Sequence, residues 1–431
     1  MALPLREPRP HEHVPEEATD AFLEGDVPFA PGTVRAALAH RSFRIVWTGA
    51  LLSNVGTWMQ NVVLTAFAFT LTRSPSFVGL VAFAQLGPTL VFASVGGVLA
   101  DAIDRKRLLV WAQTEQMLLS FVLAWLARGA HPSKAAIVLC VLGVGAGQAF
   151  NGPAYSSLLP QMVGRRDLGG AVSLQSFQMN ISRVVGPAIG GLLYPAFGPA
   201  GVFFVNALTY LFAIVAVLMV DIPGHEVPPE GRRVGRLVAG FRVAQVDPLI
   251  RRVLFTMATF SFFSLTFIGL MSVVAAHNLG MRPRSLAYGL LYAGFGLGAA
   301  LGAVSIGTFL VGRSKPRIVR VGLSAFAVLL AAFAVERVPE LAYPTVIVLG
   351  YAYFAAVTSL STVLQEHLDD RVRGRVMALW IMAFGGMVPL GTLAAGPVAT
   401  HTSITLVMLV GAGVAALLAW YCDLTAVGVP A

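Results

Sequence analysis

Apolar residues follow one another in long continuous runs along most of the 431-residue chain. A helical run of about 20 apolar residues crosses the ~30 Å hydrocarbon core of a bilayer. The runs do not alternate apolar with polar positions, as the strands of a membrane barrel do. The pattern therefore predicts an all-α integral membrane protein.

Twelve of these runs are long enough to cross a bilayer, and we number them as spans 1 to 12 in chain order. They cover approximately residues 45–71, 77–100, 108–127, 135–152, 171–195, 201–220, 253–275, 286–311, 318–335, 341–364, 376–398 and 403–421. This predicts twelve transmembrane helices that fill almost the whole chain after its first 42 residues.

Polar stretches divide the chain into two halves of six spans. Residues 1–42, rich in proline and acidic side chains, are typical of a disordered tail. Residues 222–252 carry prolines and arginines and are predicted to link a bundle at 43–221 to a bundle at 253–423. Residues 424–431 form the remaining C-terminal segment.

The two halves share a sequence register. A shift of 205 residues aligns Arg166 with Arg371, Gly169 with Gly374, Leu174 with Leu379, Gly186 with Gly391, and Gly191 with Gly396. All five matches fall in the regions of spans 5 and 11. They indicate a parallel repeat, the plan of transporters whose halves rock about a site near the membrane midplane.

The basic residues predict how the chain is oriented in the membrane. On the side of the tail and the even-numbered loops lie 23 Lys and Arg residues; six lie on the other side, and Arg183 falls within span 5. Because the excess belongs to the cytoplasm, both termini are predicted to be cytoplasmic.

Composition narrows the class of protein further. Charged residues make up 12% of the chain and hydrophobic residues 56%, which excludes an ordinary soluble enzyme. The net charge of +9 is spread over alternate loops, so no nucleic-acid partner is expected. Cys140 and Cys422 both fall in apolar runs, so neither a metal cluster nor a disulfide framework is predicted.

The turn after span 2 contains the first recognisable motif. It includes Gly97, Leu99, Ala100, Asp101, Arg105 and Lys106. This turn resembles the signature loop of the major facilitator superfamily, with Ala102 and Asp104 replacing an arginine and a glycine. An aspartate at the C-terminal end of a helix needs a compensating cation, and Arg373 and Arg375 near the start of span 11 are candidates. The hypothesis is a conformational gate; the alternative is an incidental solvated aspartate.

Span 5 contains the second motif, formed by Gly186, Pro187, Gly190 and Gly191. It resembles the GP-x-x-GG element of superfamily antiporters. Proline removes a backbone donor, and glycines allow close helix approach or bending. The alternative interpretation is a plain packing kink.

More narrowly, residues 150–193 and 373–391 resemble the bacterial transmembrane secretion effector branch, which includes enterobactin exporters. This resemblance implies the major facilitator fold and efflux of a small organic molecule.

Two charged residues lie well inside the spans. Glu115 is in span 3 and Arg183 is in span 5. Each costs ~2.5 kcal/mol or more if it faces lipid, so each is expected to face protein or water. Both are candidates for coupling transport to a driving ion; the alternative is a satisfied structural charge.

The resemblance implies that spans 1, 4, 7 and 10 line a central cavity. The leading candidates for substrate contacts there and on spans 5 and 11 are Asn54, Gln60, Asn61, Gln148, Asn151, Gln178, Phe260, Phe263, Tyr351 and Trp380. Further aromatic candidates are Phe267 on span 7, Tyr288 and Tyr292 on span 8, and Tyr353 on span 10. Aromatic stripes at helical spacing are also typical of simple packing.

The sequence thus predicts a secondary transporter that exports an amphipathic organic molecule by alternating access. A proton is the expected coupling ion, no cofactor or metal is expected, and the protein is expected to act as a monomer in a bacterial inner membrane. No P-loop of the form GxxxxGK[ST] is present, which disfavours a self-contained ATP pump. An uncoupled facilitator or importer, a membrane-embedded enzyme and a non-transporting receptor or scaffold remain as alternatives.

Overall fold

The computed structural model describes residues 29–90, 104–221 and 242–424, without the side chains of residues 370 and 371. All regular structure in these ranges is helical. Eight helical stretches there are long and apolar enough to cross a membrane, and one of them has 85 residues.

In the first half, span 1 is Arg41–Thr72 and span 2 begins with Pro75–Leu86. Span 3 is Arg105–Leu126, and spans 4, 5 and 6 all lie within Lys134–Leu218. This long stretch is interrupted at Gly164, with φ 69°, and at Gly198, with φ 65°. Glycine adopts this left-handed conformation without the steric cost of a Cβ atom, so the chain breaks its helical path at these two points.

In the second half, several spans are built from more than one helical piece. Span 7 consists of Pro248–Thr259, a π-helical turn Phe260–Ser264, Thr266–Gly269 and Met271–His277. Span 8 is Leu286–Gly307, span 9 is Lys315–Val335 and span 10 is Pro339–His367. Span 11 joins Asp370–Ile381, a π-helical turn Met382–Gly386 and Met387–His401, and span 12 is Ile404–Tyr421. The predicted all-α fold is confirmed.

Short polar side chains determine where many spans begin. Ser74, Asp104, Ser133, Asp247, Ser285, Ser314 and Ser403 each accept a hydrogen bond from a backbone N–H in the first turn of the following helix. Such N-caps satisfy donors that have no partner within the helix. They explain why the apolar runs become helices at these positions.

The two halves meet through equivalent pairs of spans. Span 5 packs against span 8, and span 2 packs against span 11. Spans six apart in the chain are equivalent in the repeat, so span 11 corresponds to span 5 and span 2 corresponds to span 8. The aligned glycines behave alike, since Gly191 contacts span 8 and Gly396 contacts span 2. The predicted parallel repeat is therefore confirmed.

The last part of the expected tail is ordered. Val34–Ala39 forms a short helix, and Gly32 N donates to Asp167 Oδ1 at 3.0 Å. His40 Nε2 lies 2.9 Å from Asp167 Oδ2. Residues 29–42 therefore dock at the start of span 5, because a buried helix face and this paired carboxylate hold them. Helical residues 242–246 likewise shorten the expected linker.

Candidate functional site

The halves are joined at one end of the molecule. We call it the far end, because it lies opposite the ends of the spans that carry the chain termini. Within residues 29–90, 104–221 and 242–424, every hydrogen bond between the halves lies in the part of the spans toward this end. They join Thr65 with Tyr288 and Ser272, Tyr288 with Val62, Arg284 with Tyr194 and Pro195, and Ser76 with Thr400.

The span 5 motif lies in this closed region. A Cβ atom on Gly191 would lie 2.8 Å from Gly289 Cα of span 8, and one on Gly186 would lie 2.6 Å from Trp58 Cβ of span 1. Pro187, between them, is buried. The motif glycines thus bring span 5 into backbone contact with both neighbouring spans, including the other half.

Arg183 lies between the halves. The carbon of its guanidinium group is 5.3 Å from the ring centroid of Trp58 and 5.3 Å from that of Phe354. Trp58 belongs to span 1 and Phe354 to span 10, so the cation is flanked by a ring from each half. A Cβ atom on Gly296 of span 8 would lie 2.5 Å from the Arg183 carbonyl oxygen, so close packing positions the backbone here.

Glu115 occupies a different place, inside the first half. Its carboxyl group lies against Gly143 and Gly147 of span 4, where a Cβ atom on Gly147 would overlap Oε2. Oε2 is buried and has no hydrogen-bond partner in the described part of the chain. No ion pair there joins Glu115 to Arg183. The acid and the cation are therefore separate centres, because one packs between spans 3 and 4 and the other faces span 10.

The structure places only part of the predicted gate. Gly97 and Asp101 lie outside the described residues. Arg105 Nη1 donates to the Ser157 carbonyl at 3.1 Å, and Lys106 Nζ donates to the Val220 carbonyl. Arg373 Nη2 donates to the Leu368 carbonyl at 3.2 Å. Arg375 lines an open cleft of about 530 Å³ with Arg242 and Asp247.

Several predicted cavity residues pack within one half. Gln60 is buried and its Oε1 accepts from Asn206 Nδ2 at 2.9 Å, while Phe260 is fully buried against Phe326 and Tyr353. Trp380 is also buried. For Gln60 and Phe260 the structure corrects the expectation of a cavity wall, because their side chains contact neighbouring spans of the same half.

The remaining polar candidates are spread over several contacts. Asn61 accepts from Gln85 Nε2, and Tyr351 OH accepts from Ser305 Oγ at 3.0 Å. The Oε1 atoms of Gln148 and Gln178 are buried without a partner in the described ranges. Asn54 and Asn151 are half-buried, and Phe263 edges an apolar groove of about 180 Å³ between spans 7, 11 and 12.

Sequence reasoning missed the two rings on Arg183. Trp58 and Phe354 lie in spans expected to line the cavity, but aromatic residues are common in both spans. The sequence offered one indication of Phe354, which directly follows the candidate Tyr353. In the structure the two rings meet edge to face, with centroids 5.0 Å apart.

Comparisons with known proteins agree with this architecture. The sequence profile of the transmembrane secretion effector family matches residues 32–430. The chain is 28% identical over 350 residues to the enterobactin exporter EntS of Shigella boydii serotype 4 (strain Sb227), covering 79% of this chain and 81% of that protein. The EntS protein of Escherichia coli O1:K1 / APEC gives the same identity and coverage.

Solved structures share the fold. The nucleoside transporter NupG superposes with a TM-score of 0.71 at 16% identity, covering 90% of this chain and 99% of NupG. A bacterial homologue of the iron transporter ferroportin, in an inward-facing state, gives 0.69 at 14% identity, covering 89% and 98%. With the profile match over nearly the whole described chain, these findings show that the protein is a multi-pass membrane transporter of the transmembrane secretion effector family, within the major facilitator superfamily.

Proposed function

We propose that this transporter is a secondary active exporter of a small amphipathic organic molecule, such as a siderophore, a drug-like compound or a secondary metabolite. The observation that carries the proposal is the closure of the two halves at the far end, next to the cation and rings at Arg183. Alternating access requires one end of the central path to be closed while the other admits substrate. The EntS relatives, named as enterobactin exporters, support the substrate class and the direction.

The distribution of basic residues supports the orientation. The excess of Lys and Arg lies on the side of both termini, so that side is cytoplasmic and the far end is external. In the conformation described above, a substrate then reaches Arg183 from the cytoplasm. The protein works in the bacterial inner membrane as a monomer, with neither a cofactor nor a nucleic-acid partner.

The proposed driving ion is a proton, and Glu115 is the proposed carrier. Coupling to a proton requires a group that gains and loses it at membrane depth. Among the residues that the structure describes, Glu115 is the carboxyl group well inside a span, and its Oε2 atom lacks a hydrogen-bond donor. Because it does not touch Arg183, Glu115 acts through the packing of spans 3 and 4 rather than by direct exchange with that cation.

Transport into inside-out membrane vesicles tests both parts of the proposal. Radiolabelled iron-free enterobactin is added outside vesicles that contain the wild-type protein, with and without an acid interior. We expect saturable accumulation that the gradient increases several-fold. Glu115→Gln, which cannot release a proton, is expected to lose this stimulation while retaining exchange of labelled for unlabelled substrate.

Glu340→Gln is the matched control, because Glu340 is an exposed carboxylate in the first turn of span 10. It is expected to behave like the wild type. Equal wild-type flux with and without the gradient would contradict proton coupling and favour an uncoupled facilitator. Absence of any protein-dependent accumulation would contradict export of this substrate.

A further inference from the structure

The guanidinium carbon of Arg183 lies over two aromatic rings, one from each half. Trp58 approaches from the first half and Phe354 from the second, each with its ring centroid 5.3 Å from the guanidinium carbon. Arginine at such a distance is attracted by the negative faces of aromatic rings. Attraction to the ring faces does not use the N–H donors of the guanidinium group in conventional hydrogen bonds, so these donors can bind another partner.

No described residue supplies that partner. The side chain of Arg183 makes no hydrogen bond in the part of the chain that the structure describes, and its Nε atom is buried and unpaired. No Asp or Glu in those ranges lies within ion-pair distance of it. Arg183 is half-buried, and a cation inside the membrane without an anion is costly, so an anion that reaches it is stabilised there.

The wall beside the cation is aromatic. Tyr292 of span 8 and Tyr353 of span 10 both lie within electrostatic range of Arg183. Tyr353 stacks on Phe295 with ring centroids 5.6 Å apart and contacts Phe354 edge to face. Neither tyrosine hydroxyl has a hydrogen-bond partner in the described ranges. Flat apolar surfaces with free hydroxyls suit an aromatic group that carries polar substituents.

We propose that Arg183 binds the anionic group of the transported molecule and that the rings of Trp58, Phe354 and Tyr353 hold its aromatic part. The substrate class is therefore small organic anions with an aromatic ring. A carboxylate or similar oxyanion pairs with the planar donor edge of arginine through two parallel hydrogen bonds. The inference deepens the proposed function and rests on it, because the bound anion is a substrate only if the protein transports it.

The two aromatic walls belong to different halves, which gives binding a conformational consequence. A ligand on Arg183 touches span 1 and span 5 on one side and span 10 on the other. Because rocking of the halves separates Trp58 from Phe354, the ligand binds most tightly in the conformation that holds both rings close. Occupancy then favours that conformation over its alternatives.

Binding of two matched probes tests the assignment. The purified full-length protein in lipid nanodiscs is titrated with 1-naphthoate and with 1-naphthamide, which share the ring system and differ in charge. We expect the wild type to bind naphthoate saturably and more tightly than the amide. Arg183→Gln is expected to weaken naphthoate binding about 10- to 100-fold and leave the amide nearly unchanged. Arg183→Lys keeps the charge but lacks the planar guanidinium group, so its naphthoate affinity is expected to lie between those of the wild type and Arg183→Gln.

The aromatic wall has its own variants. Trp58→Leu and Phe354→Leu are expected to weaken both probes about 3- to 10-fold, because each removes a stacking face. Arg252→Gln and Phe255→Leu are the controls, since these residues contact Tyr421 in the second half, away from Arg183. Both controls are expected to bind like the wild type. Retained secondary structure and wild-type melting behaviour confirm that each variant is folded.

Three outcomes would overturn the proposal: no saturable naphthoate binding by the wild type, unchanged naphthoate affinity in Arg183→Gln, or an equal loss of both probes in that variant. The assay needs neither vesicles nor a gradient. If naphthoate binds as expected and no compound is exported, the proposed function fails and the anion site stands. If export occurs but Arg183→Gln leaves naphthoate binding unchanged, the anion site fails and the proposed function stands.

Discussion

At the scale of single residues, paired histidines and aspartates tie spans together at the end that carries the termini. His40 lies 2.9 Å from Asp167 in the first half, and His367 Nε2 lies 2.8 Å from Asp247 Oδ2 in the second. The first pair joins the start of span 1 to the start of span 5, and the second joins the start of span 7 to the end of span 10. Asp247 also caps span 7, accepting from the N–H groups of Leu249 and Ile250.

The Asp247 carboxylate predicts a pH-dependent contribution to stability. Burial alone raises its pKa, but hydrogen bonds from His367 and from the Ile250 and Leu249 N–H groups outweigh it, so the pKa lies below its usual value. With a lowered pKa, the ionised Asp247 carboxylate stabilises the fold above about pH 4, and this stabilisation is lost as the pH falls through the lowered pKa. Asp247→Asn is expected to lower the melting temperature by about 2 °C at pH 7 and by nothing below the lowered pKa.

Tryptophan fluorescence during heating, recorded from pH 7 down to pH 3, measures this difference. Asp104→Asn is the matched control, because Asp104 caps span 3 through Arg107 N without a histidine partner. A melting difference for Asp247→Asn that stays constant over the whole range would contradict the ionisation argument.

At the scale of helices, the crossing of spans 5 and 8 holds the far end shut. A Cβ atom on Gly289 would lie 2.6 Å from Gly191 Cα and 2.6 Å from the Pro187 carbonyl oxygen. A larger side chain has no room there while the halves touch. The crossing therefore depends on glycine on both helices, one of them in the span 5 motif.

Gly289→Val is expected to open the far end. Overpacking costs about 1–3 kcal/mol in the closed state, which changes the ratio of closed to open molecules about 5- to 150-fold. Spin labels at the exposed positions His131 and Glu340, one in each half, report the distance distribution. We expect a longer-distance population in Gly289→Val. Gly413→Val is the control, because nothing lies within 4 Å of its Cβ position, and its distribution should match the parent's.

At the scale of the whole molecule, the asymmetry of charge predicts the orientation in the membrane. The start of span 1, the end of span 12 and residues 242–247 share one end, and the hydrogen bonds between halves lie toward the other. The end opposite these hydrogen bonds is thus the predicted cytoplasmic end, rich in Lys and Arg.

Cysteine labelling tests this orientation. His131→Cys in the loop after span 3 is expected to react with an impermeant maleimide on intact cells, whereas Val246→Cys before span 7 should react only after permeabilisation. Both side chains are exposed, and the native Cys140 and Cys422 are buried, so background labelling is low. The opposite pattern would invert the predicted topology.

The family and most of the fold were predictable from the sequence because they depend on local properties. A bilayer selects apolar runs by length, so most of the described span ends were predicted to within several residues. Span 4 is the exception, because it was predicted to end at residue 152 and its helix continues to the break at Gly164. The 205-residue register was visible because equivalent helices make equivalent close contacts, as Gly191 and Gly396 do. The order in residues 29–42 was not predicted, because it depends on Asp167, over 120 residues away.

The identity of the site residues was decided only by the tertiary structure. The spans are apolar on nearly all sides, so no amphipathic stripe in the sequence tells which face turns inward. Gln60 and Phe260 therefore looked like cavity residues and proved to pack against Asn206 and Phe326. Arg183 was found by its charge alone, but its partners Trp58 and Phe354 were not, since the rotation of each helix about its axis is set by packing against its neighbours.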